Sequence, residues 1–127
     1  MDKQTTIPDI GTKRTVFVHQ RLRAYQHALA FYRVVKTICK NLPRGLGPIG
    51  DQLSRASQSV VLNIAEGAAS RFPDVKRRHY AIAAGSASEC SAALDVLEVE
   101  EVLTGERLIA ARTQLEAAAA LTFGLAR

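Results

Sequence analysis

The sequence predicts an all-α protein, an up-down-up-down four-helix bundle with a loose N-terminal arm. Apolar residues recur at intervals of three and four over long stretches, which is the period of an amphipathic helix. The 127 residues suit one domain, and a composition of 47% hydrophobic and 23% charged residues without Trp is typical of a globular helical chain. Short breaks between the periodic stretches favour antiparallel neighbours, as in such a bundle.

The chain divides into an arm and one domain. Residues 1–19 contain Pro8 and Gly11 among Thr and charged residues, so we expect a flexible basic arm there. Residues 20–127 are expected to form the bundle. Its helices are predicted at about 20–42, 48–70, 73–103 and 105–125.

Each predicted helix has an apolar face and a boundary signal. Pro43 ends the first helix, Pro48 suits the first turn of the second, and Pro73 begins the third. Thr104 and Gly105 separate the third helix from the fourth and offer an N-cap. The inward positions are Leu22, Tyr25, Leu29, Tyr32 and Val35 in the first helix, Leu53, Ala56, Val60 and Ile64 in the second, Val75, His79, Ile82, Cys90 and Leu97 in the third, broadened by Tyr80, Ala83 and Ala87, and Leu108, Ala111 and Leu115 in the fourth.

A stripe of polar side chains runs beside the apolar face of the second helix. Asn63 and Glu66 belong to it, and Glu89 of the third helix falls inside a predicted buried face, where a carboxylate needs a partner. We interpret these residues as an interhelix hydrogen-bond network that sets the register of the two helices; an acid/base site is the alternative. The full set is Arg55, Ser59, Asn63, Glu66, Ser86 and Glu89.

Several classes of site leave no signature in the sequence. No Glu is followed by His three residues later, as a di-iron bundle requires, and no phosphate-binding or nucleophile motif occurs. We therefore expect no catalytic residue, no cofactor, no metal and no membrane partner. Cys39 and Cys90, which lack CxxC spacing, fit free thiols in the cytoplasm.

The formal charge of +5 is unevenly distributed. Residues 1–44 carry nine Lys or Arg against two Asp, whereas the remainder carries eight basic and ten acidic residues. This bias fits a polyanion contacted through its backbone, an acidic patch of a neighbouring subunit, or ordinary solvated charge. The candidate nucleic-acid contacts are Arg33, Lys36, Lys40, Arg44, Arg71, Lys76, Arg77 and Arg78.

The outer faces of the helices are not fully polar. Small and apolar residues stand opposite the core stripes of the second and third helices, which indicates contact with another copy of the chain. An Ala-rich surface without a partner is the alternative. The candidates for this oligomer face are Leu62, Ala65, Ala69, Ala84 and Ser88.

Several strings resemble the 23S rRNA intervening-sequence (S23) family over roughly residues 22–125. They are Gln52-Leu53-Ser54-Arg55-Ala56 with Ser59, Asn63-Ile64-Ala65-Glu66-Gly67 with Arg71, and Ile82-Ala83-Ala84-Gly85-Ser86 with Glu89. The resemblance implies a cytosolic bacterial four-helix bundle that assembles as a ring-like pentamer, and some members are encoded inside insertions in large-subunit rRNA genes. It also implies a distant similarity to accessory proteins of diversity-generating retroelements, which bind nucleic acid. The family usually has Arg where this chain has Ala84, so one basic contact is missing.

Three functions follow from these observations, in order of preference. The first is a non-enzymatic homo-oligomeric accessory protein that binds RNA or DNA. The second is an oligomeric protein–protein scaffold without nucleic-acid binding. The third is an enzyme that uses Glu66 or Glu89, which requires an open cleft at those carboxylates.

Overall fold

The computed structural model describes residues 16–127 and shows four α-helices and no strand within that range. The predicted fold class is therefore confirmed, whereas most of the predicted arm, residues 1–15, lies outside the described residues. None of the four helices is both long and apolar enough to cross a membrane. The helices are α1 (Arg23–Lys40), α2 (Gly47–Ala69), α3 (Pro73–Val99) and α4 (Gly105–Ala126), and a 3-10 turn over Val18–Arg21 precedes α1.

Successive helices run antiparallel and pack side by side. α2 packs on α1 and α3, and α4 closes the bundle by packing on both α3 and α1. The contact between α2 and α3 is the most extensive of the four. The α1–α2 and α3–α4 connections lie at one end of the bundle, and the α2–α3 connection lies at the other.

The apolar stripes of the four helices meet in one core. The side chains of Phe31, Leu53, Ile64, Leu94 and Leu97 are all less than 2% exposed. Burial of a side chain of this size stabilises a fold by about 1.5–3 kcal/mol relative to leaving it in water. This layer of large side chains is therefore the main source of the bundle's stability.

The buried face of α3 is rotated relative to the centre of the predicted one, although Cys90 and Leu97 are buried as expected. Tyr80, Ala83 and Ala87 face the core, whereas Val75 and Ile82, both predicted to point inward, are 42% and 43% exposed. The small alanine side chains let the neighbouring helices approach α3 closely. The larger side chains are consequently left at the exposed edge of the face.

α3 ends at Val99, four residues before the predicted end at about residue 103. Glu101 has a positive φ of 62°, and its N–H donates to the Glu98 carbonyl at 2.9 Å. The Val102 N–H donates to the Leu97 carbonyl at 3.2 Å. These two bonds form a Schellman motif, in which the left-handed position is usually Gly.

The residues after this turn lead into α4. Leu103 returns to the core and is fully buried. Thr104 stands at the N-cap position with an extended backbone, but its side chain makes no capping hydrogen bond. The start of α4 therefore depends on the burial of Leu103 more than on capping.

Two glycines permit close contacts between helices. A Cβ at Gly67 would lie 2.6 Å from Cε1 of Tyr80, and a Cβ at Gly50 would lie 2.6 Å from Cδ1 of Leu42. Such distances are far below van der Waals contact. The absence of a side chain at Gly67 therefore sets how closely α2 approaches α3.

Both cysteines are free thiols. Cys90 is fully buried, and burial, together with the nearby Glu89 charge, raises its pKa to about 12. Cys39 is half-buried and its thiol donates to the Gly50 carbonyl, with an S···O distance of 3.4 Å; burial and the Asp51 charge raise its pKa. Because the thiolate is the reactive species, both residues are held in an unreactive form.

Candidate functional site

Three polar residues of α2 form a ladder along the side that faces α3. Ser59, Asn63 and Glu66 are spaced by four and three residues, so they lie on one side of the helix. The Asn63 side-chain nitrogen donates to the Ser59 carbonyl at 2.9 Å and to the Ser59 hydroxyl at 3.1 Å. These two bonds fix the orientation of the amide and direct its oxygen away from Ser59.

Two residues of α3 complete this ladder. The Ser86 hydroxyl donates to the Ser59 hydroxyl at 2.7 Å, and Nδ1 of His79 lies 3.0 Å from Oδ1 of Asn63. Because Oδ1 can only accept, Nδ1 of His79 carries the hydrogen and donates. The same nitrogen lies 3.4 Å from Oε1 of Glu66. We call these five residues the polar seam.

Two of the residues predicted for this network lie outside the polar seam. Arg55 donates to Oε1 of Gln52 on its own helix at 2.9 Å. Glu89 is exposed, so its predicted place inside the buried face is wrong. The reason is the rotation of α3, which turns Glu89 outward together with Val75 and Ile82.

His79 belongs to the polar seam although the sequence assigned it only to an apolar face. A signal was present in the spacing, because His79 and Ser86 are seven residues apart and thus two turns apart on one side of α3. Its side chain is 25% exposed. A half-buried histidine beside a ladder of Asn and Glu is better read as a hydrogen-bonding partner than as a core residue.

A second buried polar contact, which the sequence did not reveal, joins α1 to α4. His27 and Gln114 are 6% and 7% exposed. The Gln114 side-chain nitrogen donates to Nδ1 of His27 at 3.2 Å and to the His27 carbonyl at 3.4 Å. Burial, followed by the charge of Arg23, lowers the pKa of His27. This histidine therefore accepts through Nδ1 in its neutral form.

The basic residues of α1 and its exit form an exposed stripe. Arg33, Lys36 and Lys40 lie on the outside of α1, and Arg44 follows in the connection to α2. None of them forms an ion pair with an acidic side chain within residues 16–127. We call these four residues the α1 basic stripe. Residues 16–44 carry no Asp or Glu, and Asp51 of α2, which lines a pocket together with Arg44, forms no ion pair with it.

The basic residues at the α2–α3 corner are largely engaged. Lys76 donates to the carbonyl of Gly67 at 2.7 Å and so caps the end of α2. Arg77 pairs with Asp74, and Arg71 lies over the ring of Phe72, 5.5 Å from its centroid. Arg78 is exposed. This group lies at the opposite end of the bundle from Arg44, so the two groups do not converge within one chain.

The candidates for an oligomer face lie on the outside of the bundle to differing degrees. Leu62 is 61% exposed, and Ala69 and Ser88 are exposed as well. Ala65 and Ala84 are half-buried. A groove of about 320 Å³ lies between α3 and α4, and Ser88 lines it together with apolar residues such as Leu115 and Phe123.

The part of the chain that the structure describes contains no cluster of three His, Cys, Asp or Glu residues that could hold a metal ion.

Residues 20–124 match the family described as 23S rRNA-intervening sequence protein. A comparison with curated proteins finds no match. The family match extends from the turn before α1 almost to the end of α4, and so covers the whole bundle.

Proposed function

Because this chain belongs to the 23S rRNA-intervening sequence protein family, we propose that it is a non-enzymatic accessory protein that binds RNA or DNA as a homo-oligomer. The observation that carries the proposal is the α1 basic stripe. Its charges are exposed and have no acidic partner within the described residues, so they remain available for phosphate groups.

The spacing of the stripe favours contact with a nucleic-acid backbone. Arg33 and Lys40 are seven residues apart, which corresponds to about 10 Å along a helix. Few exposed aromatic side chains stand beside them, so stacking on bases is not favoured. We therefore expect contacts to phosphates, with little sequence preference and a strong dependence on salt.

The test is a mobility-shift titration with duplex and single-stranded RNA and DNA at rising salt. Replacing Lys36 and Lys40 by Ala should reduce the slope of log K against log salt by about 2, since each lost phosphate contact contributes about 0.9. Arg107→Ala is the matched control, because Arg107 is an exposed cation on α4. The proposal fails if the wild-type chain shifts no nucleic acid at low salt, or if the double variant retains the full slope.

A scaffold that docks another protein is the second candidate function. The groove between α3 and α4 favours it, because Phe123 beside that groove is 44% exposed and Ile109 elsewhere on α4 is 65% exposed. Co-purification of a stoichiometric protein partner by a chain that shifts no nucleic acid would support this function over the first.

We propose no catalytic role for Glu66 and Glu89. Glu66 contacts His79 in the polar seam, and the side chain of Glu89 forms no hydrogen bond within residues 16–127. No nucleophile with an adjacent base accompanies either carboxylate there.

We also propose that the protein acts in the cytoplasm, since two protonated free thiols suit a reducing compartment.

A further inference from the structure

α3 carries a second stripe of residues that does not face its own bundle. The positions alternate in steps of three and four, which is the a and d spacing of a coiled coil. All of them are exposed, and Val99 is 81% exposed. We call this stripe the α3 seam. Its apolar and small members are Val75, Ile82, Gly85, Ala92, Val96 and Val99.

The α3 seam contains a glycine that the single chain does not need. A Cβ added at Gly85 would meet no atom within 4 Å, in contrast to Gly67 on α2. Glycine inside a helix is destabilising unless close packing requires it. The missing side chain at Gly85 leaves room for the backbone of another helix to approach the middle of the seam.

The two remaining positions of the seam are charged and of opposite sign. Arg78 lies near the start of α3 and Glu89 near its middle, and both are exposed. The helix as a whole is also asymmetric, with basic residues in its first turns and Asp95 and Glu98 near its end. Within the chain Arg77 pairs with Asp74, and Arg112 of α4 binds both Asp95 and Glu98, so Arg78 and Glu89 are the charges of this stripe that are left for a partner. A second α3 placed antiparallel brings basic segments against acidic ones, whereas a parallel one brings like charges together.

We propose that the α3 seam binds a second copy of this chain across a two-fold axis, with the two α3 helices antiparallel and Arg78 opposite the partner's Glu89. The inference rests on the homo-oligomerisation proposed above and names one contact between two copies, which is distinct from the head-to-tail contact that a ring requires. The occupant is a second copy because the charge pattern of α3 is complementary to itself in the antiparallel direction.

Charge also decides the register of the two helices. Sliding one helix by seven residues keeps positions 75–92 of both copies in contact and leaves Val96 and Val99 beyond the start of the partner's α3, so apolar packing alone would favour full overlap. Full overlap of the two helices places Arg78 opposite Val96, and each charge then lacks a partner, which is costly in a buried contact. A shift of one heptad removes this defect. Its pairs are Arg78 with Glu89, Ile82 with Gly85, and Val75 with Ala92.

A contact of this kind uses the same surface on both copies and therefore closes at two. By itself it gives a dimer.

The first experiment exchanges the charges of the seam and measures self-association by sedimentation over a range of concentrations. Arg78→Glu and Glu89→Arg should each weaken association about a hundredfold. The two-fold axis repeats the Arg78–Glu89 pair, so each substitution creates two contacts between like charges. The R78E/E89R double variant should recover to within about threefold of the wild type, since each variant pair is again of opposite sign. Failure of the double variant to recover overturns the proposed register.

The second experiment uses a short thiol-to-thiol cross-linker in a Cys39→Ser background, in which the remaining Cys90 is buried and protonated. A mixture of V75C and A92C chains should yield a cross-linked pair. A mixture of V75C and S91C chains is the control, because Ser91 is exposed but lines the groove toward α4. An oligomer without the V75C–A92C product overturns the α3 contact alone. A chain that stays monomeric at all concentrations overturns both this contact and the homo-oligomer.

Discussion

At the residue scale, the side chain of Asn63 is held by its own helix and thereby fixes the position of the neighbouring helix. Its nitrogen is committed to Ser59 on α2, so its oxygen faces α3 and accepts from His79. Ser59 in turn accepts from Ser86. Because the Asn63 amide has one donor end and one acceptor end, the polar seam specifies the register of α2 and α3 in addition to apolar packing.

At Gly67 we expect the addition of a single methyl group to lower the stability of the fold substantially. The Gly67→Ala methyl would lie within 3 Å of two ring carbons of Tyr80, whose side chain is buried and cannot swing away. We expect a loss of about 1–3 kcal/mol in the free energy of unfolding, measured by chemical denaturation.

The control for this variant is Gly124→Ala on α4, where a Cβ meets nothing within 4 Å. It should leave stability unchanged or raise it slightly, because Ala favours helix over Gly. Equal stability of the Gly67→Ala variant and the wild type would show that the helices can separate without cost.

His27 should make stability dependent on pH. Burial and Arg23 lower its pKa in the folded state, so the unfolded chain binds the proton more readily. Its contribution is complete above the unfolded pKa of about 6.5 and is lost as pH falls from there toward the folded value. Unfolding titrations of the wild type and His27→Gln should therefore diverge in slope below about pH 6.5, and superimposable pH profiles would contradict this assignment.

At the element scale, helix ends are decided by contacts between elements as much as by local sequence. The carbonyl groups at the end of α2 accept from Lys76, which belongs to α3. The end of α3 is closed by its own backbone around Glu101. In both places the chain reverses without the residue that usually ends a helix, since neither Ser70 nor Glu101 is Gly.

Glu101 is the clearest opportunity for stabilisation. A left-handed backbone costs an L-residue with a side chain about 1–2 kcal/mol, and Glu101→Gly removes this strain while giving the unfolded chain more freedom. We expect a net gain of about 0.5–1 kcal/mol, read as a higher denaturation midpoint.

The neighbouring Glu100→Gly variant is the matched control. Glu100 has a right-handed helical backbone with φ of −75°, so the substitution relieves nothing and should destabilise the chain by about 0.5–1 kcal/mol. A loss of stability in both variants would mean that the left-handed turn is not strained.

The helices also show which features of the fold could be predicted from the sequence and which could not. The period of apolar residues and the positions of Pro43, Pro48 and Pro73 were sufficient for the number and order of the helices. The end of α3 was not predictable, because a Schellman turn with Glu at its left-handed position leaves no Gly in the sequence. The outward position of Glu89 was not predictable either, because a rotation of a helix by a fraction of a turn depends on what packs against it.

At the scale of the whole molecule, charge and apolar surface are separated. The α1 basic stripe lies on one helix, whereas the α3 seam lies on a helix that packs on α2 and α4 rather than on α1. The proposed nucleic-acid contact and the proposed contact between copies therefore use different helices. A dimer through α3 would carry two copies of the stripe, which multiplies a weak phosphate contact.

The sequence by itself determined the helical class, the four-element order, the basic bias of the N-terminal third and the family resemblance. Each of these depends on composition, on the period of apolar residues or on short local strings, and all three can be taken directly from the sequence. Only the tertiary structure decided which polar residues meet. His79 meets Asn63, and His27 meets Gln114. Lys76 donates to a carbonyl at the end of α2, and Glu89 faces outward. The physical reason is that hydrogen bonds act over about 3 Å, and the sequence does not state which side of one helix comes that close to another.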